Sequence, residues 1–144
     1  MPSYYDSSVL LAGLLDQPGR EDLVPLWDEE EDRVSSILLE AECVTVLRRA
    51  ATLQPRKDAV AFLASRLERL DAYLKGIALR SVDPAVMRQL KQETRLAKCR
   101  SLDALHLATA LLYQEQCEER LRICTLDESM RALAACLEFE VAPL

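Results

Sequence analysis

The chain has few of the residues that build several common kinds of site. It contains three glycines, one histidine and five cysteines in 144 residues, and no two cysteines form a CxxC pair. A zinc site of the cysteine and histidine type is therefore not expected, and free thiols in a reducing cytoplasm are the simpler interpretation. No GxGxxG or P-loop motif is present, which argues against the glycine-rich nucleotide-binding folds.

Long apolar runs are missing as well. No stretch reaches the roughly 18–20 apolar residues of a membrane span, and the N-terminus lacks the basic region of a signal peptide. We therefore expect no membrane partner and a cytoplasmic location. Hydrophobic residues make up 50% of the chain, enough to form a core, so residues 1–144 are predicted to form a single domain.

Charge is unevenly distributed along the chain. The net charge is −6, but residues 48–100 hold 13 bases and 5 acids, whereas the segments on either side are acidic. The overall sign argues against a generic nucleic-acid binder. A basic segment between acidic ones can bind phosphate beside an acidic site, and the alternative of ordinary charged helix surfaces stays open.

Short strands alternate with helices in the sequence pattern. Helices are expected at residues 7–15, with Ser7 or Ser8 as N-cap, and at 55–74, with Pro55 in the first turn. The other predicted helices cover residues 21–32, the segment from the serine turn to 50, 83–98, 100–119 and 127–137. Strands are predicted at residues 3–5, near 34, and at 76–82, 120–126 and 139–144. This alternation is typical of an α/β fold whose parallel sheet is covered on both faces.

Four carboxylates come after strands of the predicted sheet. Asp6 and Asp127 follow strands directly. Asp103 lies at the N2 position of a helix, and Glu42 lies about one turn into another helix. Ligands of such folds bind beyond the carboxyl ends of the strands. Each acid alone also has a simpler explanation, as a helix N-terminal residue or, for Glu42, as an outward-facing side chain.

Crowding changes the interpretation of these four acids. Carboxylates within a few ångströms of one another repel strongly, and a divalent cation removes that cost. Oxygen ligands without a Cys or His partner select hard ions such as Mg²⁺ or Mn²⁺. Such an ion activates water and neutralises a phosphodiester transition state, so the pattern predicts nuclease chemistry, with residues 48–100 on the phosphate backbone.

The same residues resemble the motifs of a known family. The stretches YYDSSVLLAGL, SSILLEAECVTVLRR, RSLDALHLATAL and CTLDESMRALAA are similar to PIN-domain ribonucleases, and their order and spacing resemble small bacterial toxins of the VapC type. The resemblance spans the whole chain, and the third stretch is the most specific. It implies a PIN-like three-layer sandwich, with a central parallel sheet of about five short strands flanked by helices.

The resemblance implies an activity and a set of roles. The family's members hydrolyse RNA as Mg²⁺- or Mn²⁺-dependent endoribonucleases, and the VapC type are toxins of type II toxin–antitoxin pairs. Carried over to this chain, Asp6 and Asp103 are the principal metal ligands. Glu42 binds metal or orients the attacking water, and Asp127 completes the site directly or through water.

Partners also follow from the resemblance. VapC toxins are blocked by a VapB-like antitoxin that wraps around them, and they usually form homodimers. The leucine-rich segments 9–15 and 59–67 are candidates for the apolar groove that such contacts need, although core burial is the preferred explanation for most of these leucines. Transfer, ribosomal and messenger RNA all stay open as substrates, as do one and two metal ions.

Some neighbouring polar residues have more than one interpretation. Ser8 and Thr125 would tune the site by hydrogen bonding, but Ser8 can equally serve as a helix cap. His106 follows Asp103 by three residues on the same helical face. It either supports a metal ligand from behind or, as the preferred interpretation, packs as a structural residue.

The sequence also departs from the family pattern or offers competing acids at three places. Glu40 competes with Glu42, which fits the motif spacing better, and Glu128 lies beside Asp127. Small PIN toxins commonly have a glycine before the final strand, whereas residues 136–141, CLEFEV, contain none. The turn before that strand is therefore expected to differ.

Two other functions compete with the nuclease. A strand followed at once by Asp6 also resembles phosphatases of the haloacid dehalogenase type, but these need a second aspartate where this chain has Ser8. A non-catalytic PIN-fold module that binds RNA or protein is the stronger alternative. Acids at all four motif positions favour the nuclease over that module.

Overall fold

The secondary structure alternates between strands and helices in the predicted order. A computed structural model describes residues 1–18 and 32–144, so the helix predicted at residues 21–32 lies outside the described residues except for Asp32, which is not helical. The strands are β1 (Ser3–Tyr5), β2 (Arg33–Ser36), β3 (Ala78–Arg80), β4 (Arg122–Cys124) and β5 (Glu140–Val141). The α-helices are α1 (Ser7–Leu14), α2 (Leu38–Thr52), α3 (Ala59–Leu74), α4 (Pro84–Gln92), α5 (Ser101–Cys117) and α6 (Glu128–Cys136).

The five strands form one parallel sheet in the order β3-β2-β1-β4-β5. Strand β1 lies at the centre, where Tyr4 is in register with Val34 of β2 and Ile123 of β4. Because every pair is parallel, all the strands end at the same edge of the sheet. The side chains that follow β1 and β4 therefore come together there.

Helices cover both faces of the sheet, as the predicted three-layer sandwich requires. Successive strand residues point to opposite faces. Tyr4 accordingly packs into a core with Leu107 of α5 and Met130 of α6, whereas Tyr5 packs into a second core with helices α1, α2 and α3. No helix of residues 1–18 and 32–144 is long and apolar enough to cross a membrane.

One predicted N-cap and one predicted helix start are wrong. Helix α1 takes Asp6 as its N-cap instead of Ser7 or Ser8, and the Asp6 carboxylate accepts the backbone N–H of Ser7. Aspartate caps a helix as well as serine does, and its charge is favoured by the helix dipole. Helix α3 begins only at Ala59, because Pro55 opens a preceding turn whose carbonyl accepts the Ala59 N–H at 3.1 Å.

The single helix predicted at residues 83–98 is two elements. Helix α4 starts as expected, with Asp83 as N-cap and Pro84 in its first turn, but it ends at Gln92. A 3₁₀ helix, Thr94–Lys98, follows after the extended residue Glu93. The Glu93 carboxylate accepts the N–H of Arg95 and two of its guanidinium N–H groups. This local bonding competes with helix continuation and lowers the pKa of Glu93 to about 2.

The turn before the last strand uses a non-glycine residue in a left-handed conformation. Glu138 has a φ of 65°. Its N–H donates to the carbonyl of Ala135, and the N–H of Phe139 donates to the carbonyl of Ala134, both at 3.0 Å. These bonds form the Schellman motif that ends many helices, in which the left-handed position favours glycine.

Candidate active site

Asp6 is held in place at the carboxyl end of β1, in the middle of the sheet edge. It is only 6% exposed. One carboxylate oxygen, Oδ1, accepts the backbone N–H of Ser7 at 2.8 Å. The other, Oδ2, accepts the hydroxyls of Ser8 and Thr125, each at 2.8 Å. Both hydroxyls were expected to tune the site, and they do contact this carboxylate, which is thereby fixed in one orientation.

Glu42 approaches the same edge from α2. Its Oε2 accepts the hydroxyl of Ser7 at 3.3 Å, and its Oε1 contacts Nε2 of His106. Potential metal-ligating atoms of Asp6, Glu42 and His106 all lie within 4.8 Å of one another. Among the described residues this group contains Glu42 rather than Glu40, in agreement with the motif spacing.

Asp103 is the third helical residue of α5, one position later than predicted, and its side chain is half-buried. Burial raises the pKa of Asp103, and the negative charges of Asp6, Asp127 and Glu42 raise it further, while His106 acts in the opposite direction. Asp103 is therefore close enough to the other three acids to be affected by their charges, although the group whose ligating atoms lie within 4.8 Å of one another contains neither Asp103 nor Asp127.

Asp127 is exposed, and its negative charge acts on Asp103. Its carboxylate caps α6 by accepting the N–H of Met130 at 2.9 Å. The loop before it is tied to the start of α1, because Thr125 Oγ1 accepts the Asp127 N–H and Ser8 Oγ accepts the Leu126 N–H. Asp127 thus serves as a helix cap and as a charge near Asp103 at the same time.

His106 is the residue whose role the sequence left least defined. It is fully buried, as the packing interpretation requires. It also contacts Glu42 directly and bonds to the hydroxyl of Tyr4 at 2.8 Å through Nδ1. The signal available from sequence was its place one turn after Asp103 within an apolar helix, which puts the two on one helical face.

The cluster has the chemistry of a hard-cation site. Its carboxylate oxygens are the ligands that Mg²⁺ and Mn²⁺ prefer, and their mutual repulsion is relieved by a divalent ion. Within residues 1–18 and 32–144, no Arg or Lys forms an ion pair with Asp6, Asp103 or Asp127. The residues present therefore fit a bound divalent cation.

A groove leads away from the acidic cluster between α2 and the start of α5. It encloses about 290 Å³, with Ser7 and Glu42 at one end and the basic side chain of Arg49 along it. Leu102, 46% exposed, forms part of the wall.

Comparison with known proteins identifies the family. The model of the PIN domain family matches residues 3–135. The chain therefore belongs to the PIN domain family. Its fold is similar to a chain in the crystal structure of VapBC2 from Rickettsia felis bound to a DNA fragment from their promoter, with a TM-score of 0.64 and 11% sequence identity. The similarity covers 99% of this chain and 98% of that one. A search of curated proteins finds no match.

Proposed function

We propose that the chain is a metal-dependent endoribonuclease and the toxin of a type II toxin–antitoxin pair. The observation that carries the proposal is the meeting of Asp6 and Glu42, whose ligating atoms lie within 4.8 Å of each other, with the charge of Asp103 close by, in a chain that belongs to the PIN family. PIN domains are generally nucleases. Four crowded carboxylates are costly to a fold unless they bind a cation.

The proposed roles follow from the contacts of each side chain. Mg²⁺ or Mn²⁺, when bound, supplies an activated water and neutralises charge on the phosphodiester. Asp6 and Asp103 hold the ion, and Asp6 is kept in orientation by Ser8 and Thr125. Glu42 binds the ion or accepts a proton from the attacking water. Asp127 completes the site, directly or through a water.

RNA would reach this site along the groove. Arg49 lines the groove beside Glu42 and is exposed, so it can neutralise one phosphate of the substrate. We expect Arg49→Ala to raise KM for RNA several-fold without changing kcat, and to reduce the salt dependence of binding by about one unit of slope. An unchanged salt slope in filter-binding measurements would remove Arg49 from the RNA path.

The proposal that the chain is a toxin is based on its similarity of fold to a chain of the VapBC2 structure. The similar structure contains VapBC2 and promoter DNA, and on that basis we propose a VapB-like antitoxin as partner and a homodimer as the toxin's own assembly. No disulfide links cysteines within residues 1–18 and 32–144, which suits the reducing cytoplasm where such pairs act. Co-expression with the adjacent reading frame and co-purification would test the partner.

Cleavage assays with matched variants test the nuclease. We expect purified wild-type chain to cut RNA with Mg²⁺ or Mn²⁺ and to stop in EDTA, and Asp6→Asn and Asp103→Asn to lose at least about 100-fold in rate. Asp83→Asn is the control, because Asp83 also caps a helix but carries no part of the cluster. Metal binding without cleavage would favour the non-catalytic module. No metal binding would return the four acids to structural roles.

A further inference from the structure

Two buried polar side chains, those of His106 and Tyr4, are linked by hydrogen bonds to Glu42 of the acidic cluster. His106 is 0% exposed and Tyr4 is 2% exposed. The Tyr4 hydroxyl lies 2.8 Å from Nδ1 of His106, and the opposite ring nitrogen, Nε2, contacts Oε1 of Glu42. The rings of Tyr4 and His106 meet edge to face at 5.9 Å. Three elements, β1, α5 and α2, thus each contribute one of these three side chains.

The two contacts occupy both ring nitrogens of His106. A carboxylate oxygen accepts, so Nε2 donates its N–H to Oε1 of Glu42. In the neutral ring Nδ1 is then an acceptor, and the Tyr4 hydroxyl donates to it. Burial raises the pKa of the Tyr4 phenol above its ordinary value, which keeps that donor protonated. Each polar atom of the His106 ring is therefore satisfied by protein.

A ring satisfied in this way has no lone pair left for an ion. The Nδ1 lone pair accepts from Tyr4, and Nε2 carries its proton towards Glu42. Mg²⁺ also prefers oxygen ligands to the nitrogen of an imidazole. The same hydrogen bond fixes Oε1 of Glu42, while Oε2 meets only the longer 3.3 Å contact from Ser7.

We propose that His106 is a positioning residue: locked by Tyr4, it orients the Glu42 carboxylate towards the bound cation and does not itself bind that cation. The inference rests on the metal site proposed above. It assigns a function to the histidine of this chain's third motif and explains why a fully buried polar side chain lies next to the acids.

Nitrogen NMR of the imidazole tests the distinction directly. With ¹⁵N-histidine labelling, the single histidine gives one set of ring signals. We expect a protonated Nε2 and an unprotonated Nδ1 in the metal-free chain, and the Nε2 proton should persist at saturating Mg²⁺. Loss of that proton on adding Mg²⁺ would mean that the ring is a ligand, and the proposal would be overturned.

Metal affinity of matched variants tests the orienting role. In calorimetric titration, His106→Leu, which lacks the donor, should bind Mg²⁺ about 10-fold more weakly than wild type. His106→Gln, which keeps an N–H donor, should retain most of the affinity. Cleavage by His106→Leu should recover at high Mg²⁺, because only the orientation of Glu42 is lost. Equal Mg²⁺ affinity in His106→Leu and wild type would refute the proposal.

Tyr4→Phe keeps the test decisive if the leucine variant does not fold. It removes only the hydroxyl that fixes the tautomer, so we expect a smaller loss of Mg²⁺ affinity and a ring that populates both tautomers in the NMR spectrum. A Tyr4→Phe ring still held in one tautomer would contradict the proposed lock. Wild-type chain that binds no Mg²⁺ would overturn the proposed function itself, whereas wild-type binding unchanged in the variants overturns this inference alone.

Discussion

Substitutions at Asp127 can show whether its carboxylate caps a helix, contributes to a metal site, or does both. Its Oδ1 accepts the N–H of Met130 at 2.9 Å, and asparagine caps helices about as well as aspartate. We therefore expect Asp127→Asn to change the free energy of unfolding by less than about 0.5 kcal/mol. The lost charge–dipole attraction is opposed by relief of the repulsion that Asp127 exerts on Asp103. Asp127→Ala, which removes the cap, should cost about 1 kcal/mol, a fall in Tm of roughly 2–4 °C.

Activity and metal-induced stabilisation should behave differently from this cap effect. For wild type, Mg²⁺ at 100 times its Kd should add about 2.7 kcal/mol, or roughly 5–10 °C in Tm. Both Asp127 variants should need more Mg²⁺ for the same increase and should cut RNA at least about 10-fold more slowly at limiting Mg²⁺. Calorimetry and a cleavage assay on the same samples measure the two effects. If Asp127→Asn matches wild type in both, Asp127 is a helix cap and no part of the site.

Three further results are expected. The pKa of Asp103 is raised above 3.8 in the fold. Between 3.8 and this raised pKa the metal-free native state therefore binds more protons than the unfolded chain, and it loses stability as the pH rises through that range. The Tm of Asp103→Asn should therefore be higher than that of metal-free wild type at pH 7 and equal to it below pH 3.8. A lower Tm for Asp103→Asn at pH 7 would contradict the proposed crowding. Glu138→Gly should raise stability by up to about 1 kcal/mol in chemical unfolding, because glycine adopts the left-handed conformation without strain, whereas Glu138→Ala should not. Burial raises the pKa of Cys43 to about 12, so a thiol reagent at pH 8 should label exposed Cys117 rapidly and Cys43 only after unfolding; equal labelling rates would count against the packing around Cys43.

The sequence predicts the sheet and its acids because both depend on local order. Polar residues after strands must meet at one edge once the strands are parallel, which places Asp6 and Asp127 there. The element boundaries at Pro55 and Glu93 were harder, because side-chain and turn hydrogen bonds decide them over differences of about 1 kcal/mol.

The role of His106 could not be predicted from local sequence. Its partners Glu42 and Tyr4 lie 64 and 102 positions away in the chain. Their meeting depends on how α5 and α2 rotate over the sheet, and the packing of two whole cores sets that rotation. The residue type and its helical face were visible, but the contact was not.

Strand β1 has a consequence for how this protein can change over time. Three consecutive residues, Tyr4, Tyr5 and Asp6, belong to one core, to the other core and to the acidic cluster, respectively. We expect random-mutagenesis libraries selected only for folding to retain Tyr4 and Tyr5 as strictly as libraries selected for activity, because each fills a different core. Without selection for activity, Asp6 would be free to change to asparagine, which caps a helix about as well, while the two tyrosines beside it stayed.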